Sequence, residues 1–208
     1  MTTSALRLHG FPLSGHSHRV ELMLSLLGLK FESVQIDLFN GAHKRPEFLA
    51  KNPFGQIPVL EDGAVTLSDS NAILVYLASR YDSSRTWLPQ EPVAAAQVQR
   101  WLSIAAGELA HGPALARLVA LFGLPLDAAR AKTVAAALYG VLDAHLGTQR
   151  FLVGSTPTIA DVALYSYTAH APEGGVSLEP YANVRAWLAR IETLPGFVAM
   201  QRSTPKAA

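Results

Sequence analysis

The hydrophobic pattern of this chain changes period once, and that change limits the fold more than any other feature. Up to about residue 81, short β-branched runs alternate with helix-spaced apolar stretches. Beyond it every patterned segment has the helical period. Such a chain is restricted to a small α/β layer followed by a helical bundle. In the first part, residues 5–8 read as a strand ended by His9-Gly10-Phe11-Pro12, and 17–29 as a helix with Ser17 as its N-cap. Residues 31–38 alternate as a strand, and 43–51 read as a short polar helix around Pro46. Residues 57–61 and 64–67 flank Asp62-Gly63 as a hairpin, and 70–81 form a helix. The order is βαβαββα over residues 1–81. Two prolines and a polar cluster mark 82–91 as a linker. Residues 92–208 read as all-α: helices over 93–122 (interrupted at Gly112-Pro113), 126–146, 158–171 and 183–193, then a short element at 197–200.

Charge and cysteine usage exclude several functions. The chain has 208 residues, 17 Lys+Arg, 16 Asp+Glu and a net charge of +1, so no broad field favours nucleic acid or an anionic membrane. No run free of Asp, Glu, Lys and Arg exceeds 11 residues, short of the ~20 needed to span a bilayer. The first residues lack a basic and apolar leader, which predicts a cytoplasmic protein. There is no cysteine, hence no disulfide framework, thiolate zinc site, iron–sulfur cluster or cysteine nucleophile. Any sulfur chemistry must arrive with the substrate. His16 and His18 are too closely spaced along a helix to face each other, and no metal-ligand pattern is present.

Four segments carry further information. Pro58 in Ile57-Pro58-Val59 either begins an edge strand or follows a cis peptide bond. Asp69 and Ser70 stand where a helix begins, and Thr158-Ile159-Ala160-Asp161 has the form of a capping box. Together with His43-Lys44, the segments Asn52-Pro53-Phe54-Gly55-Gln56-Ile57-Pro58-Val59-Leu60, Leu67-Ser68-Asp69-Ser70-Asn71-Ala72-Ile73 and Gly154-Ser155-Thr156-Pro157-Thr158-Ile159-Ala160-Asp161 resemble those of the glutathione transferase family, in order and over essentially the whole chain.

The resemblance implies a thioredoxin-like N-terminal domain, an all-helical C-terminal domain, and a thiol-bearing peptide, glutathione, as co-substrate with no metal. In that frame Lys44 and His43 meet the glycyl carboxylate by charge-assisted hydrogen bonds. The Ile57 backbone, ahead of Pro58, pairs with the cysteinyl unit. Gln56 and Ser70 receive the γ-glutamyl carboxylate, and Asp69 faces the γ-glutamyl ammonium. Serine-type members place a catalytic serine five residues before an arginine, which Ser14 and Arg19 match. Its hydroxyl donates to the sulfur and favours the thiolate. Ser17 is the rival. Ser14-Gly15-His16-Ser17 only partly matches the isomerase subclass, and the cysteine-type reductases need a residue the chain lacks.

The implied activity is conjugation of glutathione to hydrophobic electrophiles, as in detoxification. The alternatives are a non-catalytic carrier or partner-binding protein on the same scaffold, or a glutathione-dependent isomerase or peroxidase. Phe11, Leu13 and Phe39 (with Leu38) are candidates for one wall of the electrophile site. Trp101, His111, Leu115, Leu118 and Phe122 are candidates for the other, each equally able to be core. Phe54 either anchors a homodimer or packs within its own chain.

Overall fold

The computed structural model describes residues 6–203. Two compact units are present: one runs through Ser83 and takes in Pro195–Gln201, and the other comprises Ser84–Leu194 and continues from Arg202. Residues 84–91 thus group with the helical unit, where Trp87 O accepts the Ile159 N–H.

In the first unit, strands β1 (Leu6–Gly10), β2 (Phe31–Gln35), β3 (Val59–Asp62) and β4 (Val65–Ser68) form one sheet in the order β2-β1-β3-β4. The β1–β2 pair is parallel and crosses over through α1 (Gly15–Leu26); β3 runs antiparallel to both its neighbours. With α2 (Pro46–Leu49) and α3 (Ser70–Tyr81), the order is βαβαββα, the thioredoxin-like arrangement. The apolar spacing of α1 and α3 explains their packing: Val20, Leu22, Met23 and Leu24 are buried, as are Ile73, Leu74 and Leu77. Each such side chain contributes roughly 1.5–3 kcal/mol relative to exposure. Ala5, the predicted start of β1, lies outside the described residues.

Several boundaries differ from the sequence reading for local reasons. The second strand ends at Gln35, not Leu38, because its partner β1 ends at Gly10, opposite Gln35. The polar helix expected over 43–51 is two pieces, a 3-10 turn Ala42–Lys44 and α2. Pro46 forces the preceding Arg45 into extended backbone, which breaks the helix there. The hairpin turn lies one residue later than expected, with Gly63 at φ 60°. Lys51, beside α2, donates to Glu61 of β3, which also accepts from His9. The hydrogen bonds from Lys51 and His9 hold the Glu61 carboxyl down at about 2. That contact fixes where the 52–58 loop leaves α2.

The second unit holds α4 (Pro92–Ala106), α5 (Leu115–Phe122), α6 (Ala128–Leu146), α7 (Ile159–Ala169) and α8 (Ala182–Glu192). The long apolar segment breaks earlier than expected, at Gly107. Pro113 sits in a π turn, Ala110–Ala114, which is one way a helix accommodates a missing N–H. Gly112 is needed there for approach, since a Cβ would lie 2.9 Å from Ala135 N on α6. Helix α7 is buried on every side from Ile159 to Thr168, as befits a central helix. Its capping box is complete: Thr158 caps the first turn, and Asp161 Oδ2 accepts the Thr158 N–H at 2.9 Å. Residues 197–200 form no helix or strand. They lie along α1 within the first unit, where Ser25 Oγ donates to Gly196 O and His18 Nε2 to Val198 O. Among the described residues no helix is long and apolar enough to cross a membrane, and no group of three or more His, Asp or Glu is placed to hold a metal ion.

Candidate functional site

The strand register assembles the site. His9 pairs with Val59, and Val59 with Ser68. The exit of β1, the Ile57–Pro58 bond and the turn into α3 therefore lie side by side at one end of the sheet. From that end the chain enters α1 after Phe11-Pro12-Leu13, and α3 after Asp69.

Ser14 is the N-cap of α1, with φ −91° and ψ 115°, and its Oγ accepts the Ser17 N–H at 3.2 Å. The assignment of that cap to Ser17 is thereby corrected. Ser17 lies inside the helix and is buried, its Oγ accepting the Phe11 N–H at 3.2 Å. The reason is packing: a Cβ at Gly10 would fall 2.9 Å from Ser17 Oγ, so this serine is wedged against β1. Ser14 remains partly exposed, and no described residue accepts its hydroxyl proton. A partial positive charge from the start of α1 adds to the local preference for an anion.

The Ile57–Pro58 bond is cis. Ile57 stands ahead of the ladder, whose pairs begin at Val59, and no described residue hydrogen-bonds its N–H or C=O. Buried Asn52 shapes the loop before it: Nδ2 donates to Gln56 O at 2.7 Å, and Oδ1 accepts the Phe54 N–H at 3.1 Å. An Asn opening a Pro/Gly turn is the sequence signal for such a loop-bridging amide. Lys44 Nζ lies across the same loop, donating to Phe54 O and Gly55 O at 3.1 Å each. An ammonium has three donors, so one is left for an anion. Gly55, at φ 59°, makes room, since a Cβ would stand 2.8 Å from both His43 O and Lys44 Nζ. His43 Nδ1 is buried with no hydrogen-bond partner among the described residues. The Gln56 side chain is exposed.

Asp69 holds φ 70° and ψ 117° while its Oδ1 caps α3 through the Ala72 N–H at 2.9 Å. A non-glycine residue at such a positive φ costs on the order of 1–3 kcal/mol, and such residues cluster at functional sites. Ser70 begins α3 and is buried. Arg19, fully buried on α1, donates to Ser70 Oγ at 3.2 Å and Asn71 Oδ1 at 2.8 Å, so it ties the two helix starts together. His16 Nδ1 lies 3.3 Å from Ser70 Oγ. Burial, and then the Arg19 charge, push the His16 ring down to about 3. Nothing in local sequence pointed to this contact, because His16 and Ser70 are 54 residues apart.

The residues expected at the electrophile site divide by environment. Phe11 and Phe39 meet edge to face with centroids 5.7 Å apart; Phe39 is 73% exposed and Leu13 is half-buried. His111 and Leu115 line a cavity of about 540 Å³ in the helical unit, together with Glu108, Leu126, Arg130 and Val134. Leu118 and Phe122, half-buried on α5, do not line that cavity. Trp101 is corrected: its indole is 1% exposed, donates to Leu152 O at 3.0 Å and packs against His145, so it belongs to the core. His170 and Glu173 serve structure, with Glu173 bound by Arg117, His170 and Ser203. Phe54 is 79% exposed, which removes the intrachain packing alternative.

The sequence matches the family model described as "Glutathione S-transferase, N-terminal domain" over residues 4–79, and its C-terminal counterpart over 126–195. Glutathione S-transferase 3 of Zea mays is 40% identical over 205 residues, covering 92% of this chain and 91% of that one. A crystal structure of glutathione S-transferase from Pseudomonas fluorescens Pf-5 superposes with a TM-score of 0.88 at 36% identity, covering 96% of this chain and all of that one. A Drosophila mojavensis glutathione transferase homologue, solved with bound glutathione, gives 0.83 at 28% identity, covering 92% and 89% of the two chains.

Proposed function

The chain belongs to the glutathione S-transferase family, and from that premise we propose how its own residues carry the reaction. It is a glutathione S-transferase, with glutathione as co-substrate. In our reading Ser14 Oγ–H donates to the glutathione sulfur while Oγ keeps its bond from the Ser17 N–H. The observation that carries this assignment is that cap: one lone pair of Ser14 is engaged from inside the helix, and the hydroxyl proton has no acceptor among the described residues. A free thiol titrates near ~8.5, so stabilising the anion increases the reactive fraction at neutral pH. The thiolate then attacks an electrophilic carbon; the new S–C bond forms as the leaving group departs with its electron pair, or as a double bond takes up a proton.

Binding of the remainder follows the same geometry. Lys44 and His43 receive the glycyl carboxylate, and the free N–H and C=O of Ile57, beside cis-Pro58, pair with the cysteinyl unit. Gln56 and Ser70 take the γ-glutamyl carboxylate, and Asp69 its ammonium. The electrophile is hydrophobic, and within the first unit Phe11, Leu13 and Phe39 are its proposed contacts. We place the protein in the cytoplasm. The presence of Ser14, Lys44, Gln56, Asp69 and Ser70 together favours catalysis over a carrier role.

Calorimetric titration of the full chain with glutathione, followed by conjugation assays over a panel of electrophiles, tests the reading. Micromolar to millimolar binding with conjugation to at least one electrophile is expected. No binding at millimolar glutathione would overturn it.

Phe54 is the proposed homodimer anchor, because an aromatic ring left this exposed on a polar loop is the usual form of an interface hot spot. Phe54→Ala is expected to move the protein towards monomer in light scattering at micromolar concentration. An unchanged dimer mass, or a monomeric parent protein, removes the idea.

A further inference from the structure

We infer that His16 is a positioning residue for glutathione binding: together with Arg19 it donates into Ser70 Oγ, fills both lone pairs, and turns the hydroxyl proton of Ser70 outward to the γ-glutamyl carboxylate. The inference rests on the reading above that Ser70 receives that carboxylate.

The argument is one of donors and acceptors. A serine hydroxyl has one proton and two lone pairs. Arg19 can only donate, and its Nη1 stands 3.2 Å from Ser70 Oγ. His16 Nδ1, 3.3 Å away, either accepts the Ser70 proton or supplies one of its own. Were it the acceptor, the hydroxyl would have nothing left to offer an anion. The ligand decides between the two: once the Ser70 proton goes to the carboxylate, a neutral His16 Nδ1 keeps its 3.3 Å contact only as a donor, and the two positive helix ends and the Arg19 guanidinium that meet here favour that anion. Burial and that charge keep the imidazole neutral at physiological pH, so it carries a single N–H. An N–H directed at Ser70 adds a second donor to a cradle that already attracts anions. With the anion bound, that N–H and the Arg19 donor together hold the buried hydroxyl in one rotamer.

His16→Phe removes the donor and keeps a flat ring, His16→Ala guards against crowding by that ring, and His16→Asn restores an N–H. Each is compared with Ser70→Ala by circular dichroism, glutathione titration, steady-state kinetics, and the pH at which the bound thiolate absorbance appears. His16→Phe and His16→Ala are expected to raise the Kd and KM for glutathione roughly tenfold, the worth of one hydrogen bond to a charged group. The value of kcat at saturating glutathione and the thiol titration should stay near wild type. His16→Asn should recover most of the affinity, and His16→Phe should add nothing in a Ser70→Ala background. If Ser70→Ala weakens binding while folded His16→Phe and His16→Ala bind as wild type, the inference fails alone. It also fails if these variants lose kcat, or shift the thiol titration, at unchanged Kd. If Ser70→Ala itself has no effect on affinity, the assignment of Ser70 falls, and the inference with it.

Discussion

Replacing Ser14 by alanine is expected to lower kcat/KM by about 10²–10³, the usual cost of removing one preorganised donor to a developing or bound anion. Glutathione should still bind, because in the proposed reading Lys44, Ile57, Gln56 and Ser70 hold other parts of the peptide. The bound thiol should titrate closer to its free value near ~8.5, with each pKa unit equal to about 1.4 kcal/mol of lost thiolate preference. The substitution also removes the cap on α1, since the Ser17 N–H loses its acceptor at 3.2 Å. A stability loss of about 0.5–2 kcal/mol should accompany the loss of activity. Ser14→Thr retains both hydroxyl and cap, and should restore stability and part of the turnover. A thermal melt beside the kinetics separates the two effects. Full turnover in Ser14→Ala with loss in Ser17→Ala would reverse the assignment. The structure gives a reason to expect otherwise, because Ser17 is buried with its oxygen bound to the Phe11 N–H.

The largest stability effect is expected at Asp161. Its side chain is 1% exposed and collects the N–H groups of Leu152 at 3.0 Å and Thr158 at 2.9 Å, together with the Trp187 indole N–H at 2.8 Å. Burial pushes this carboxyl up, and the four hydrogen bonds, from Leu152, Thr158 backbone, Trp187 and Thr158 hydroxyl, oppose it. Asp161→Ala leaves three buried N–H donors and the Thr158 hydroxyl without this acceptor, at about 1–3 kcal/mol for each N–H. A total of at least about 3 kcal/mol is a large share of the 5–15 kcal/mol that a domain normally has. For a chain of this length it lowers Tm by roughly 6–12 °C. Asp161→Asn keeps one acceptor oxygen and should lose about half as much. Both are read by thermal melts, with expression in the soluble fraction as a second measure. An Asp161→Ala protein that melts within a degree or two of wild type would show that these bonds are replaced elsewhere.

How the fold and site were legible follows from the range of the interactions involved. The element order and the two-part plan came from periodicity, which near neighbours impose. The capping box at Thr158–Asp161 was equally local and is present with both its bonds. Boundaries slipped where a neighbouring strand or a proline decided them: β2 stops with its partner at Gly10, and Pro46 divides the predicted polar helix. The stretch 197–200 was read as an element because it is apolar. It forms no helix or strand; Met200 is buried, and Val198 O accepts from His18 of α1.

Sequence alone therefore determined the kinds of chemistry this protein can perform. A chain with no thiol, whose segments around Ser14, Lys44, Gln56, Asp69 and Ser70 resemble those of the glutathione transferase family, is expected to work on a thiol brought to it. Tertiary structure decided which of two serines faces outward, that the Ile57–Pro58 bond is cis, that Trp101 is core and Phe54 exposed, and that His16 reaches Ser70. The reason is physical. Turn chemistry and periodicity act over a few residues, while burial and hydrogen-bond partnership depend on groups that meet only after α1, α3 and the sheet have packed.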